Sequence, residues 1–147
     1  MKISDRGLQL LMEREGYRNA VYLDTRGIPT VGCGHTGPDV KMGDVWTDEQ
    51  VREALSDDVG NAEAAVYLGT GRNLQQNQFD ALVSFVFNVG VNAFGTSTMR
   101  KMLQVGNYEG AAAQFDRWHI PAEIIPRRNG EKAQFLGTAF AARIEGA

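Results

Sequence analysis

The polar and apolar positions of this chain sort into helices over most of its length and into one short hairpin near its start. Leu8, Leu11 and Met12 recur at helical spacing after Ser4 and Asp5, either of which can cap a first helix. That helix is predicted to run to Glu15, where Gly16 stops it. Residues 20–24 carry Val21 and Tyr22 and read as a strand; Thr25-Arg26-Gly27 supplies turn chemistry, and Pro29 holds Ile28 extended. Thr30 to Thr36 reads as the returning strand, with Thr30, Gly32 and Gly34 on one face and Val31 and Cys33 on the other. After a loop over 37–46, Thr47 to Gln50 spell a capping box that opens a helix to about Val66, with Val51, Leu55, Ala62 and Val66 on one face. The stretch from about Gln75 to Val89 is apolar nearly all round, as a buried central helix is. Shorter helices follow, capped by Ser97 and Asn107, and Pro126 fits the first turn of a last helix.

This order predicts an α+β chain, mostly α, forming a single catalytic domain over 1–147. A small N-terminal lobe with a short antiparallel β-sheet covers about 15–46, and a long linking helix covers about 48–66. The larger helical lobe covers about 74–147 and takes in the first helix. Hydrophobic content of 43% and charged content of 22% fit a globular chain of this length, which needs no staple to bury a core. Cys33 is the one cysteine, which removes a disulfide framework and any multi-Cys metal site. Two distant histidines, His35 and His119, without other ligand spacing argue against a metal, and no cofactor is expected. The net charge of −3 gives no support to nucleic-acid binding. No cleavable signal or apolar run of membrane-spanning length is read, so no stable membrane association is expected.

The chemistry gathers between Glu15 and Gly37. Glu15 lies seven residues after Leu8, on the apolar face of the first helix, where burial disfavours its charged form. Such an acid, still protonated near neutral pH, can protonate a leaving sugar oxygen. Asp24 sits among turn residues near solvent and is expected to stay ionised. The Thr30 hydroxyl can orient a water beside it, and the bare Gly32 and Gly34 face offers a bulky ligand room. Two carboxylates in unlike environments are what glycoside hydrolysis needs. Each signal also has a plain structural reading: Glu15 as a surface residue, Asp24 as a turn former, the glycines as a bulge.

Residues 15–37 resemble the active-site signature of phage lysozymes, the T-even and P22-type endolysins of glycoside hydrolase family 24. The matching residues are Glu15-Gly16, Tyr22-Leu23-Asp24 and Gly27-Ile28-Pro29-Thr30-Val31-Gly32-Cys33-Gly34-His35-Thr36, with the family's intervals of nine and six residues. Gln76 to Gly90, Ser97-Thr98, the Ala111 to Phe115 run with Trp118, and Arg127-Arg128 with Glu131 extend the likeness over about 4–136. The tail beyond Leu136 exceeds the usual family end and is assigned no role.

The resemblance implies a lysozyme-like fold and cleavage of the β-1,4 bond between N-acetylmuramic acid and N-acetylglucosamine in peptidoglycan. Glu15 becomes the general acid, while Asp24 and Thr30 hold the attacking water, a scheme that inverts configuration. Substrate contacts carry over to Thr36, Phe87, Ser97 and Gln114, beside Gly32 and Gly34. His35 becomes a structural residue rather than a base, and Arg128 of the last helix is expected near Glu15. With no signal or membrane anchor read, a monomer is expected that accumulates in the host cytoplasm and acts on the periplasmic wall after release by a separate holin-like protein. One departure stands out, since many wall hydrolases are basic and this chain is mildly acidic. The alternatives are a lytic transglycosylase, which needs the acid but no positioned water, and a non-catalytic wall-binding module. Asp24 and Thr30 argue against the first, and the intact trio against the second.

Overall fold

The computed structural model describes residues 1–70 and 74–137, so the tail beyond 137 lies outside the described residues. The chain divides into two compact units, one of Leu8–Gly60 and one of Met1–Gly7 with the chain from Asn61 onward. Among the described residues the architecture is α+β and mostly helical, with a two-stranded antiparallel sheet.

In the unit of Leu8–Gly60, helix α1 (Asp5–Glu15) ends where Gly16 turns left-handed at φ 69° and donates its N–H to the Met12 carbonyl. Strands β1 (Arg18–Leu23) and β2 (Pro29–Gly32) pair with Tyr22 opposite Thr30 and Leu23 opposite Pro29. Val21, Val31 and Val40 form a small core against Trp46. Asn19 ties the following loop to β1, donating to the Trp46 carbonyl at 2.9 Å and accepting the Trp46 N–H at 2.7 Å.

The returning strand is shorter than the sequence pattern predicts. It ends at Gly32, because Gly32 and Gly34 take φ of 65° and 86°, which strand backbone does not allow. Val31 and His35 instead exchange N–H and carbonyl across a tight loop. Thr30, Gly32 and Gly34 therefore do not share a strand face. Gly32 is buried, and a Cβ there would lie 3.0 Å from Val51 Cγ1, so its bareness serves the close seating of β2 on the next helix.

That helix is α2 (Asp48–Asp58), capped by the expected reciprocal box, with Gln50 N–H on Thr47 Oγ1 at 3.1 Å and Thr47 N–H on Gln50 Oε1 at 2.8 Å. The single linking helix expected over 48–66 is corrected to two, since α3 (Gly60–Thr70) begins anew after Val59 takes φ −81°, ψ 0°. Asp57 and Asp58 face the negative helix end with no basic residue in that turn, and Gly60 adds a weak helix former. Val51, Leu55, Ala62 and Val66 are nonetheless all buried.

In the other unit, α4 (Gln76–Val89) buries every residue from Phe79 to Val86, as its all-round apolar pattern requires. The helices α5 (Val91–Gly95), α6 (Thr98–Gln104), α7 (Tyr108–Gln114) and α8 (Ile125–Leu136) complete it. Phe85 meets Phe115 and Trp118 edge to face, with centroids 5.4 and 5.3 Å apart, and Phe115 meets Phe135 at 5.8 Å. The first residues of the chain join this unit through buried acids: Ile3 N–H donates to Glu63 at 2.7 Å and Ser4 N–H to Asp80 at 3.0 Å. Among the described residues no helix is long and apolar enough to cross a membrane.

Gly32→Ala is expected to destabilise the protein by about 2–5 kcal/mol, the sum of a left-handed non-glycine residue and overpacking against Val51. In urea denaturation the double variant with Val51→Ala is expected to recover the packing part of that loss and not the backbone part. Full additivity of the two losses would refute the contact.

Candidate active site

Glu15 closes α1 and lines a hollow of about 410 Å³ with Gly16, Tyr17, Arg18, Tyr22, Gly32, Cys33 and Gly34. The end of α1, the end of β2 and the loop after it thus bring Glu15, Gly32 and Gly34 together, while Asp24 and Thr30 are not on that lining. Glu15 is partly exposed rather than enclosed. Gly34 is open on its missing side-chain face, with no atom within 4 Å of a Cβ there.

Asp24 follows β1 and builds the hairpin turn itself. Its Oδ1 accepts the N–H of Arg26 at 2.8 Å and of Ile28 at 2.9 Å, while its own N–H donates to the Ile28 carbonyl at 2.9 Å. The Ile28 N–H, with smaller help from Arg26, holds the Asp24 carboxyl below its ordinary 3.8 and outweighs the opposing effect of desolvation. The acid therefore stays ionised across the neutral range, and its Oδ2 accepts no hydrogen bond among the described residues. Thr30 is 3% exposed, and its hydroxyl donates to the Ile28 carbonyl at 2.8 Å. With its proton so committed, Thr30 Oγ1 faces any further partner as an acceptor.

His35 sits between two carboxylates, Nδ1 at 2.8 Å from Asp58 Oδ2 and Nε2 at 3.1 Å from Asp39 Oδ2, with the Trp46 ring 5.6 Å away. Desolvation pulls its pKa down, but the hydrogen bonds and charges of Asp58 and Asp39 together outweigh that and leave it above 6.5. Cys33 is pushed up to about 11 by burial and then by the nearby charges of Glu15 and Asp58, so it remains a thiol at neutral pH and is no nucleophile there.

The contacts expected outside this unit lie in the helical one. Ser97 is buried and caps α6, its hydroxyl accepting from Arg100 N–H and donating to the Phe94 carbonyl at 2.7 Å. Phe87 is partly buried on α4, and Gln114 ends α7. Arg128 is 4% exposed; it pairs with Glu131 at 2.7 Å, donates to the Trp118 carbonyl and Asn88, and lies over the Phe85 ring. Thr36, in the first unit, is exposed.

Sequence reasoning passed over Tyr17, Arg18 and Tyr22 as walls of the hollow and over Asp39 and Asp58 as partners of His35. Arg18 and Tyr22, whose guanidinium and ring meet at 4.3 Å, flank an irregularity in the β1–β2 register that the sequence does not mark. Asp58 was out of reach because a pairing across 23 residues leaves no local pattern.

Residues 12–132 match the family model of phage lysozyme. The chain is 41% identical over 144 residues to the endolysin of Salmonella phage P22, covering 92% of this chain and 99% of that one. The crystal structure of a P22 lysozyme mutant superposes with a TM-score of 0.87 at 41% identity, covering 92% and 99%. The muramidase domain of SpmX from Asticaccaulis excentricus superposes at 0.81 with 35% identity, covering 92% and 97%.

The His35 pairing has a pH signature. A histidine whose folded pKa stands above 6.5 adds stability fully present below 6.5 and lost as pH rises through the folded value. Asp39, held below 3.8 first by its bond to His35, adds stability that is present above 3.8 and lost as pH falls through its folded value. The stability gap between wild type and His35→Gln, read by urea denaturation, is expected to be widest between about pH 4 and pH 6.5 and to narrow toward pH 9. A gap independent of pH would refute the charged pairing.

Proposed function

This chain belongs to the phage lysozyme family, and on that premise we propose that it hydrolyses the β-1,4 bond between N-acetylmuramic acid and N-acetylglucosamine of peptidoglycan. It is a lysozyme, an enzyme of phage-mediated cell-wall lysis. In our reading Glu15 is the general acid and Asp24 and Thr30 hold the attacking water, with Thr36, Phe87, Ser97, Gln114, Gly32 and Gly34 contributing substrate contacts. His35 and Arg128 act as supports. That one structural relative is a muramidase domain supports the choice of bond.

The observation that carries the mechanism is the division of labour at the hairpin. Asp24 spends one oxygen on the turn and stays ionised, and Thr30 gives its only proton to the Ile28 carbonyl. Both are thereby acceptors, and a water donating one hydrogen to each would present its lone pair to the sugar. Asp24 takes the proton that the water loses as its oxygen bonds to the anomeric carbon. Glu15 gives its proton to the departing sugar oxygen as that bond breaks. Attack by water without a covalent intermediate inverts the anomeric centre. The reading also has the enzyme made as a monomer in the host cytoplasm and freed to the wall by a separate holin-like protein; the endolysin names of its relatives support its part in lysis from within the host.

Glu15→Gln is expected to lower kcat on purified cell walls by about a hundredfold to ten-thousandfold. Asp24→Asn, which keeps an acceptor for the turn amides but not the charge, is expected to fold and to fall by at least about a hundredfold. NMR of the first product is expected to give the α-anomer; β-anomer or anhydro-sugar ends, or a Glu15→Gln enzyme as fast as wild type, would overturn the reading. Produced alone in cells, the protein is expected to leave turbidity unchanged until the inner membrane is permeabilised, and prompt lysis without that step would refute the release scheme.

A further inference from the structure

The hollow that holds Glu15 is lined by one basic residue, Arg18, and its surroundings are unusual for a surface arginine. Arg18 opens β1, so strand pairing fixes its backbone. Its cross-strand neighbour is Gly32, which brings no side chain, and Gly34 on the same lining is open as well. The guanidinium carbon lies over the Tyr22 ring, 4.3 Å from its centroid, which holds the cation beside the hollow. Among the described residues no carboxylate is within ion-pair distance of it. A planar cation held by an aromatic ring, with its fork of donors uncommitted, suits bidentate binding of a carboxylate.

We propose that Arg18 is a substrate-binding residue that receives a free carboxylate of the peptide stem carried by the muramic acid unit beside the scissile bond. The inference rests on the peptidoglycan reading above and names the part of that substrate the hollow takes in addition to sugar. The glycan backbone is uncharged: the lactyl carboxyl of muramic acid is spent in the amide bond to the stem, so anionic recognition has to reach the peptide. A chain of net charge −3 gains nothing from its overall field in approaching such a polymer, and a single well-placed cation beside the acid reverses that locally. A second hollow of the same unit is lined by Asp39, Asp44, Glu53 and Asp57 against the single basic group of His35, and its excess of acids would repel the same group. That contrast assigns the stem carboxylate to the side of the unit where Arg18 stands.

The test compares wild type, Arg18→Gln and Arg18→Lys on dispersed peptidoglycan and on the same material with its stem carboxylates amidated, scored as kcat/KM for release of reducing ends. Amidation is expected to slow wild type about tenfold, the effect of one charge-assisted contact, through KM rather than kcat. Arg18→Gln is expected to cut both polymers at the rate wild type shows on the amidated one, and Arg18→Lys to retain part of the difference. Arg18→Gln as active as wild type on the unmodified polymer, or as sensitive to amidation as wild type, would overturn the proposal. Arg18→Lys is read in the same way should Arg18→Gln fail to fold. Failure of the underlying peptidoglycan reading looks different, since wild type would then release reducing ends from neither polymer.

Discussion

Asp24 closes the hairpin with its side chain, and much of the first unit follows from that. With the Arg26 and Ile28 amides both on Oδ1, the loop between the strands has one length, and the register that sets Tyr22 opposite Thr30 is fixed. A slip of one residue would send Thr30 and Val31 to exchanged faces, taking Val31 out of the small core and Thr30 away from the Ile28 carbonyl. A two-stranded sheet is marginal by itself, so it needs the turn at one end and a packed helix at the other. Gly32 supplies the second by letting Val51 of α2 come close. The carboxylate that the proposed mechanism uses in its ionised form is thus also the carboxylate that the fold needs as an acceptor. Turn former and acid are one role seen twice, and the N–H groups that build the turn are what lower its proton affinity.

The helices were legible because their signals are local. Capping by Thr47, Ser97 and Asn107, the stop at Gly16 and Pro126 in the first turn of α8 each depend on residues within one turn of helix. The buried run of α4 was legible because it is apolar on every side. What periodicity misled about was β2 beyond Gly32, where strand-like alternation continues in the sequence but the glycines adopt φ values that end a strand. The break at Val59 was hidden for the opposite reason: the apolar face carries straight across it, and only the acids of the last turn and Gly60 mark it. Residue type and spacing single out Glu15, Asp24 and Thr30 as candidates, of which Glu15 alone lines the hollow, whereas the partners of His35 are made by tertiary folding and leave no pattern in one sequence.

The helical unit handles charge differently from the hairpin. Glu131 is fully buried yet meets Arg128 at 2.7 Å, Arg127 at 3.1 Å and the Ser84 hydroxyl at 2.6 Å, so its desolvation is met by directed partners on α4 and α8. Asp80 and Glu63 do the same for backbone N–H groups of Ser4 and Ile3. In each case an acid placed in the core spends its lone pairs on groups that would otherwise be unsatisfied there, which ties distant stretches of chain to one arrangement.

Those last two bonds span 60 and 76 residues, and they make the helical unit discontinuous in the chain. A ribosome releases Ile3 and Ser4 first and their acceptors much later. Residues 8–60, by contrast, leave the exit tunnel as one uninterrupted segment holding both strands and α2. The enclosed unit can therefore gather its contacts during synthesis while the enclosing one waits for its own second half. The entropy of closing so long a loop rises only with the logarithm of its length, so the delay is one of timing more than of free energy.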